Sequence, residues 1–337
     1  MKTPSRKDVA IRAGVSETIV SYVINNNRAV AADKRARVLE AINELHYSPD
    51  SRGRALKGKS TGHILFIADK IENEYFGRLV HEIDAHAYDK GYIVTLMAAR
   101  SNAEFVQRIV SRRVDAVVIS SASMEEKYVQ ELIDAGVLLV LLMNRDYSAL
   151  KGRFSRIYTG NESGIMAATH YLFESGCRQL CYVDRTSTHQ HFSDRRDMRF
   201  RGFCNQMEAL GLNVEEKNVI THCTSYEEVY EKTLKTLEDF PETDGFVCRN
   251  DHLACVVISA VKASGKRIPE DVSVFGFDNS SMCTVVHPML SSIDFSRGKI
   301  AEAIMELIEI MMNGGGETER HFATQLVLRG TTKNMPG

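Results

Sequence analysis

"DVAIRAGVSETIVSYVINNN", residues 8–27, decides how the first part of this chain folds. Val9, Ala10 and, one turn later, Ala13 predict a short helix over about Arg6 to Ala13. Gly14 supplies the positive φ of a tight turn. Ser16 suits a helix N-cap, and Glu17 suits the positive end of the helix behind it. Ile19, Val20, Val23 and Ile24 give that second helix one apolar face, and Asn25 to Asn27 end it. Its opposite face carries Ser16, Glu17, Thr18, Ser21 and Tyr22, polar groups with no core to join. A third helix is expected over about Ala32 to Leu45, with Val38, Leu39, Ile42 and Leu45 inward. "HYSPD" then breaks the pattern, and Pro49 is placed to begin another helix.

Charge singles out the same region. The chain has 337 residues and a net charge of only −2. Residues 1–60 hold twelve Lys or Arg and six Asp or Glu, leaving 30 basic and 38 acidic residues for the rest. A basic head on an acidic body points to a polyanion partner for the head. Helix, glycine turn and helix make a helix-turn-helix, whose second helix enters the DNA major groove. Short hydroxyls there bond phosphates or base edges. Glu17 has two readings: acceptor for a cytosine amino group, or simple stabiliser of its own helix N-terminus.

Composition sets the bounds on the rest. The length calls for two or three units. An apolar share of 44% and a charged share of 26% are ordinary for a globular protein. No run of 18 apolar residues exists, so no membrane partner is expected. "MKTPSRKDVA" lacks the apolar core of a signal peptide, so a cytoplasmic location is expected. Seven cysteines without framework spacing fit reduced thiols.

Residues 50–60, "DSRGRALKGKS", look like a linker, and the body begins with "HILFIA". From there apolar runs of strand type alternate with helical patterns: "YIVTLMA", "DAVVISS" and "VLLVLLM" in a first series, then "QLCYVD", "VITHC", "GFVCRN" and "SVFGFD" in a second starting near Asn161. This is a βαβ rhythm, so the body is α/β with two doubly wound halves. A ligand in such a body lies beyond the carboxyl ends of the strands, in the cleft between the halves.

"KDVAIRAGVSETIVSYVIN" resembles the head signature of the lactose repressor/galactose repressor family of bacterial transcription factors. "ELHYSPDSRGRALKG", "RRVDAVVI", "GFVCRNDHLA", "IPEDVSVFGFDN" and "PMLSSIDF" continue the likeness in the family's order over essentially the whole chain. The resemblance implies a helix-turn-helix head (1–47), a hinge helix or linker (48–60), and an effector-binding and dimerisation domain (61–337) of periplasmic-binding-protein type. Its first subdomain would take about 61–159 and 291–320, and its second about 160–290 and 321–337. Ser5, Ser16, Glu17, Thr18, Ser21, Tyr22, Asn25 and Arg28 would contact DNA, with Leu56 as an apolar wedge in the minor groove. Ile19 stands where the family commonly has threonine and Tyr22 where arginine is frequent, so the operator sequence is this chain's own.

The resemblance also assigns the cleft to a small effector, a sugar or a nucleobase-like molecule. Arg199, Asp278, Asn144, and Asn250 or Asp251 match effector-binding positions, and Phe76 falls where an aromatic stands at the rim or in the core. Together they offer the donors and acceptors that vicinal hydroxyls need. "DRTSTHQHFSDRRDMRFRGF" departs most from the family. Asp184 and Arg185 replace a glycine turn, and the loop carries His189, His191 and three arginines before Arg199. Such a loop suits an anionic effector such as a sugar phosphate or uronate. No acid or cysteine completes a metal set with the histidines. An enzyme reading finds no phosphate loop, nucleophile elbow or zinc spacing, and a transport component has no use for residues 1–60. No cofactor is expected. The reading is a homodimeric regulator, most simply a repressor of a carbohydrate-use operon; a co-repressor type answering to a nucleobase, nucleoside or phosphorylated effector is the alternative. "LRGTTKNMPG" carries no leucine heptad for a tetramer.

Overall fold

Helix α1 (Arg6–Ala13), α2 (Glu17–Asn25) and α3 (Ala32–Glu44) make the head in the computed structural model, which describes residues 4–25, 28–47 and 60–335. Pro49, linker residues 50–59 and, within them, Leu56 lie outside the described residues. Val9, Ala10, Ala13, Val20, Val23, Val38 and Ala41 form the head's own buried core. Gly14 turns the chain between α1 and α2 at φ +64°. Arg12 and Glu44 pair at 2.6 Å, tying α1 to α3. One inward assignment is corrected: Leu39 is 47% exposed, and Ala41, at 1%, faces the core instead. Val38, Ala41, Ile42 and Leu45 share one stripe, and Leu39 lies about 100° round the helix from Val38.

The body, a unit by itself from Gly62 onward, alternates strand and helix as its apolar rhythm dictates. Its first half contains β1 (His63–Ala68), α4 (Glu74–Tyr88), β2 (Ile93–Ala98), α5 (Ala103–Arg112), β3 (Ala116–Ser120), α6 (Glu126–Asp134), β4 (Leu139–Leu142) and β5 (Ser155–Tyr158). Asn73 caps helix α4 by accepting from Tyr75 N at 2.8 Å. The second half contains α7 (Asn161–Glu174), β6 (Leu180–Val183), α8 (Met198–Ala209), β7 (Val219–Ile220), α9 (Tyr226–Asp239), β8 (Gly245–Cys248), α10 (Asp251–Ala263) and β9 (Ser273–Phe275). Then follow α11 (Met282–Val285), β10 (Ser292–Phe295), α12 (Arg297–Met312), β11 (Glu319–His321) and β12 (Thr324–Val327).

The first sheet runs β11-β5-β4-β3-β1-β2 and the second β7-β6-β8-β9, with every neighbouring pair parallel. Side chains along β1 alternate between two cores. Ile64 and Phe66 join Leu79, Ile83 and Ile304, whereas Leu65 and Ile67 join Phe105, Ile109 and Leu132. Both faces are covered by helices, which a parallel sheet requires. Each such aliphatic side chain, fully buried, contributes roughly 1.5–3 kcal/mol. The chain leaves the first sheet after β5, returns through β10 into α12, and leaves again from β11 into β12. Strands β10 and β12 pair antiparallel at this crossing, with Asp294 opposite Gln325. The architecture is thus a helix-turn-helix head followed by two doubly wound parallel sheets. Among the described residues no helix is long and apolar enough to cross a membrane. All seven cysteines are unpaired.

Candidate functional site

In the head, the polar face of α2 is laid out as its sequence spacing dictates. Ser16, Glu17 and Thr18 are exposed, and Ser21 and Tyr22 are half-buried. Ser16 Oγ accepts from Ile19 N at 3.4 Å, so it closes the N-terminus of the helix. Asn25 Nδ2 donates back to Ser21 O at 2.7 Å and Ser21 Oγ at 3.1 Å, closing the other end. The Arg28 guanidinium lies 5.2 Å from the Tyr22 ring centroid, so a cation stands beside the helix although the helix itself carries none. Ser5 is engaged in its own helix: its hydroxyl accepts from Asp8 N and donates to Asp8 Oδ2 at 2.6 Å, a capping box.

In the body, a cavity of about 840 Å³ opens where the strands of both sheets end. Lys70 follows β1, Asn144 follows β4, Arg185 follows β6, Arg249 and Asn250 follow β8, and Asp278 follows β9, and all of them line it. One polar chain crosses its floor. Asn144 Nδ2 donates to Ser120 Oγ at 3.0 Å, and Asn161 Nδ2 donates to Asn144 Oδ1 at 2.9 Å. Arg199 Nε donates to Asn161 Oδ1 at 2.9 Å, and Arg199 Nη2 to Asp278 Oδ1 at 3.0 Å. The guanidinium also lies 3.8 Å from the Phe277 ring centroid, which fixes its plane.

Asp278 carries the strain of this arrangement. Its φ is +103°, a region an L side chain rarely adopts. It is held there because Asp278 N donates to Ile293 O at 3.0 Å and Asp278 O accepts from Arg297 Nη1 at 3.0 Å. Burial pushes its carboxyl up to about 6, with the Arg199 charge pulling the other way. Asp197 shows the opposite balance. It is buried too, but Arg249 at 2.7 Å and Arg185 hold its carboxyl down at about 2.

Of the residues singled out from sequence, Phe76, Asn144, Arg199, Asn250 and Asp278 line this cavity. Phe76 also packs on Tyr75, with ring centroids 5.2 Å apart, so it joins rim to core. Asn250 Oδ1 caps α10 by accepting from Leu253 N at 2.9 Å. Asp251 is a correction. It is 2% exposed and absent from the cavity wall, and it accepts from Ser280 N at 2.6 Å and from Ser292 Oγ. Gly276 permits this approach, because a Cβ there would collide with Asp251 Oδ1. Asp251 therefore holds the turn that presents Asp278. Sequence reasoning passed over Lys70, Asn161, Arg249 and Asp197. The first and third sit one or two residues beyond strand ends, a signal the strand assignment already contained. His189 and His191 both line the cavity, and among the described residues no three metal-ligating side chains come together.

The sequence model described as "Bacterial regulatory proteins, lacI family" matches residues 6–50, and "Periplasmic binding protein-like domain" matches residues 169–332. The HTH-type transcriptional repressor PurR of Pasteurella multocida (strain Pm70) is 30% identical over 336 residues, covering 97% of this chain and 98% of that protein. The repressor of the same name from Histophilus somni (strain 129Pt) is 29% identical, covering 98% of this chain and 99% of its own. Among solved structures, the lac repressor dimer bound to operator and the anti-inducer ONPF has a TM-score of 0.81 at 21% identity, over 99% of this chain and 100% of that one. The transcriptional regulator CelR–cellobiose complex has a TM-score of 0.70 at 22% identity, over 97% and 99%. Likeness at that identity speaks to the fold.

Proposed function

The chain belongs to the lacI family of bacterial regulatory proteins, and on that premise we propose that it is a transcriptional repressor of a carbohydrate-use operon. It binds a near-palindromic operator as a cytoplasmic homodimer, with Ser16, Glu17, Thr18, Ser21, Tyr22, Asn25 and Arg28 toward the DNA and Leu56 as the wedge. Two heads related by a two-fold axis suit two inverted half-sites. A sugar or sugar derivative in the cleft controls it.

The observation that carries this reading is the polar chain Ser120–Asn144–Asn161–Arg199–Asp278. It begins at the end of a strand of the first sheet and ends beyond the second. It offers a carboxylate, amides and a cation together, the mixture that vicinal hydroxyls need. A ligand inserted into it touches both halves, so its affinity depends on their relative arrangement. That dependence is what couples a ligand to a conformational equilibrium, and no catalysis is needed. A second reading, a phosphorylated or nucleobase-type co-repressor, draws support from Lys70 and Arg185 in the same wall.

A thermal-shift screen of the full chain against sugars, sugar phosphates, sugar acids and nucleobases tests the proposal. A true effector raises the melting temperature, because it binds the folded state alone. Arg199→Ala is expected to abolish that shift while the protein still binds DNA in its default state. A shift that survives in Arg199→Ala would put the effector elsewhere.

A further inference from the structure

We propose that the effector of this cleft carries an oxyanion, a carboxylate or a phosphate, which Lys70 and Arg185 clamp from opposite halves of the body. The inference rests on the reading of the cavity as the effector site and names the chemistry of its ligand.

Two of the cavity's arginines are already matched by carboxylates. Arg199 is paired with Asp278 at 3.0 Å, and Arg249 with Asp197 at 2.7 Å. Asp69 also lines the cavity, but its oxygens are taken by the loop after β3: it accepts from Ala122 N at 2.8 Å, from Ser123 Oγ at 2.6 Å and from Ser121 Oγ. Arg199 and Arg249 thus need no ligand charge, whereas Asp69, held by neutral donors, keeps its negative charge near Lys70 and Arg185.

Two cations remain. Lys70 Nζ donates to Thr186 Oγ1 at 2.8 Å, a neutral partner, and forms no salt bridge among the described residues. Burial pulls its pKa down, against the more distant charges of Glu72 and Asp69. Arg185 spends Nη2 on Asp197 and Ser193. Its Nη1 stands 3.9 Å from Asp69, and its Nε, buried, donates to nothing and lies 4.0 Å from Asp184. Lys70 and Arg185 both line the cavity, the lysine without a carboxylate partner among the described residues and the arginine with Nη1 as the edge left for a ligand, since its Nε is buried. Arg100, exposed at the rim, adds a third positive charge and Glu72, also exposed, a negative one.

A neutral sugar would bury the Lys70 ammonium, whose hydrogen-bond partner is a neutral hydroxyl, without a counter-charge, which costs free energy. An oxyanion gives that ammonium and Arg185 Nη1 charge-assisted hydrogen bonds. Lys70 follows the first strand of the first sheet, and Arg185 and Thr186 follow the first strand of the second. An anion between them ties the two halves together and favours the arrangement in which they are close.

Inorganic phosphate is the first probe, used on the full chain at constant ionic strength against chloride. Phosphate is expected to raise the melting temperature of the wild type and of Lys70→Arg, and Lys70→Gln to lose that increment. Lys70→Gln breaks no ion pair, whereas Arg185→Gln strips a partner from buried Asp197, so the lysine variant decides. No increment in the wild type, or the same increment in Lys70→Gln, overturns the clamp. Glucose, glucose 6-phosphate and glucuronate, with the matched triads of other hexoses, form the second arm. An acid or phosphate member that binds about tenfold more weakly to Lys70→Gln supports the proposal and says which oxyanion is used. A neutral sugar that shifts wild type and Lys70→Gln alike, but not Arg199→Ala, overturns the oxyanion and leaves the sugar-effector reading intact. If no ligand of any class gives a shift that needs Arg199, both readings fall.

Discussion

Asp278 concentrates the conflict between folding and binding at a single residue. It keeps a carboxylate against Arg199, in a left-handed backbone conformation, under burial that lifts its pKa to about 6. An unfolded aspartate titrates near 3.9, so the native state holds the proton over a higher range. The sign follows: this group stabilises the protein at low pH, and that contribution is lost as pH rises from about 4 to about 6, at most about 3 kcal/mol. Melting curves of the wild type minus those of Asp278→Asn are expected to fall across that window. Effector binding is expected to run the other way, weakening below about pH 6 as the acceptor is protonated. A flat profile for both would contradict the assignment. Asp251 teaches the complementary lesson. It was as legible in "RNDH" as its neighbours, yet the first turn of α10 sends it into the core beside Gly276. Sequence places a residue at a strand end; only the local turn decides whether it faces the cavity.

At the scale of elements, the head was readable because its contacts are local. Val9, Val20 and Val38 meet within a few dozen residues, and the 3.6-residue period points each inward. The turn between α1 and α2 depends on Gly14 at φ +64°. Gly14→Ala is expected to destabilise the head by about 1 kcal/mol, read as a lower denaturant midpoint of head unfolding. An unchanged midpoint would mean the turn relaxes. The body's later elements were less readable for the converse reason. Strand β5 is four residues of alternating character, and it exists because β4 and the distant β11 flank it. Among the described residues, strands β10 and β12 form a two-stranded sheet of their own, across the whole of α12. Short strands stabilised by remote partners carry little period of their own. The floor of the cleft inherits this: Asn161 is in place because α7 starts just beyond a strand that the pattern did not announce.

At the scale of the whole molecule, a basic head is joined to an acidic body that carries the effector cleft. Residues 1–60 carry twelve Lys or Arg against six acids, in a chain whose net charge is only −2. Binding to DNA through such a head releases counterions. Its affinity is therefore expected to fall steeply with salt, by roughly a thousandfold or more between 50 and 200 mM for a site with many phosphate contacts. A shallow slope in fluorescence anisotropy would argue against phosphate clamping. The sign of ligand control follows from which arrangement of the two halves the effector prefers. The central claim, that this is a sequence-specific DNA-binding dimer, is tested most directly by selecting bound duplexes from a random-sequence pool with the full-length protein. Enrichment of one site made of two inverted half-sites is expected. A pool that stays random, or a single unpaired half-site, would contradict it.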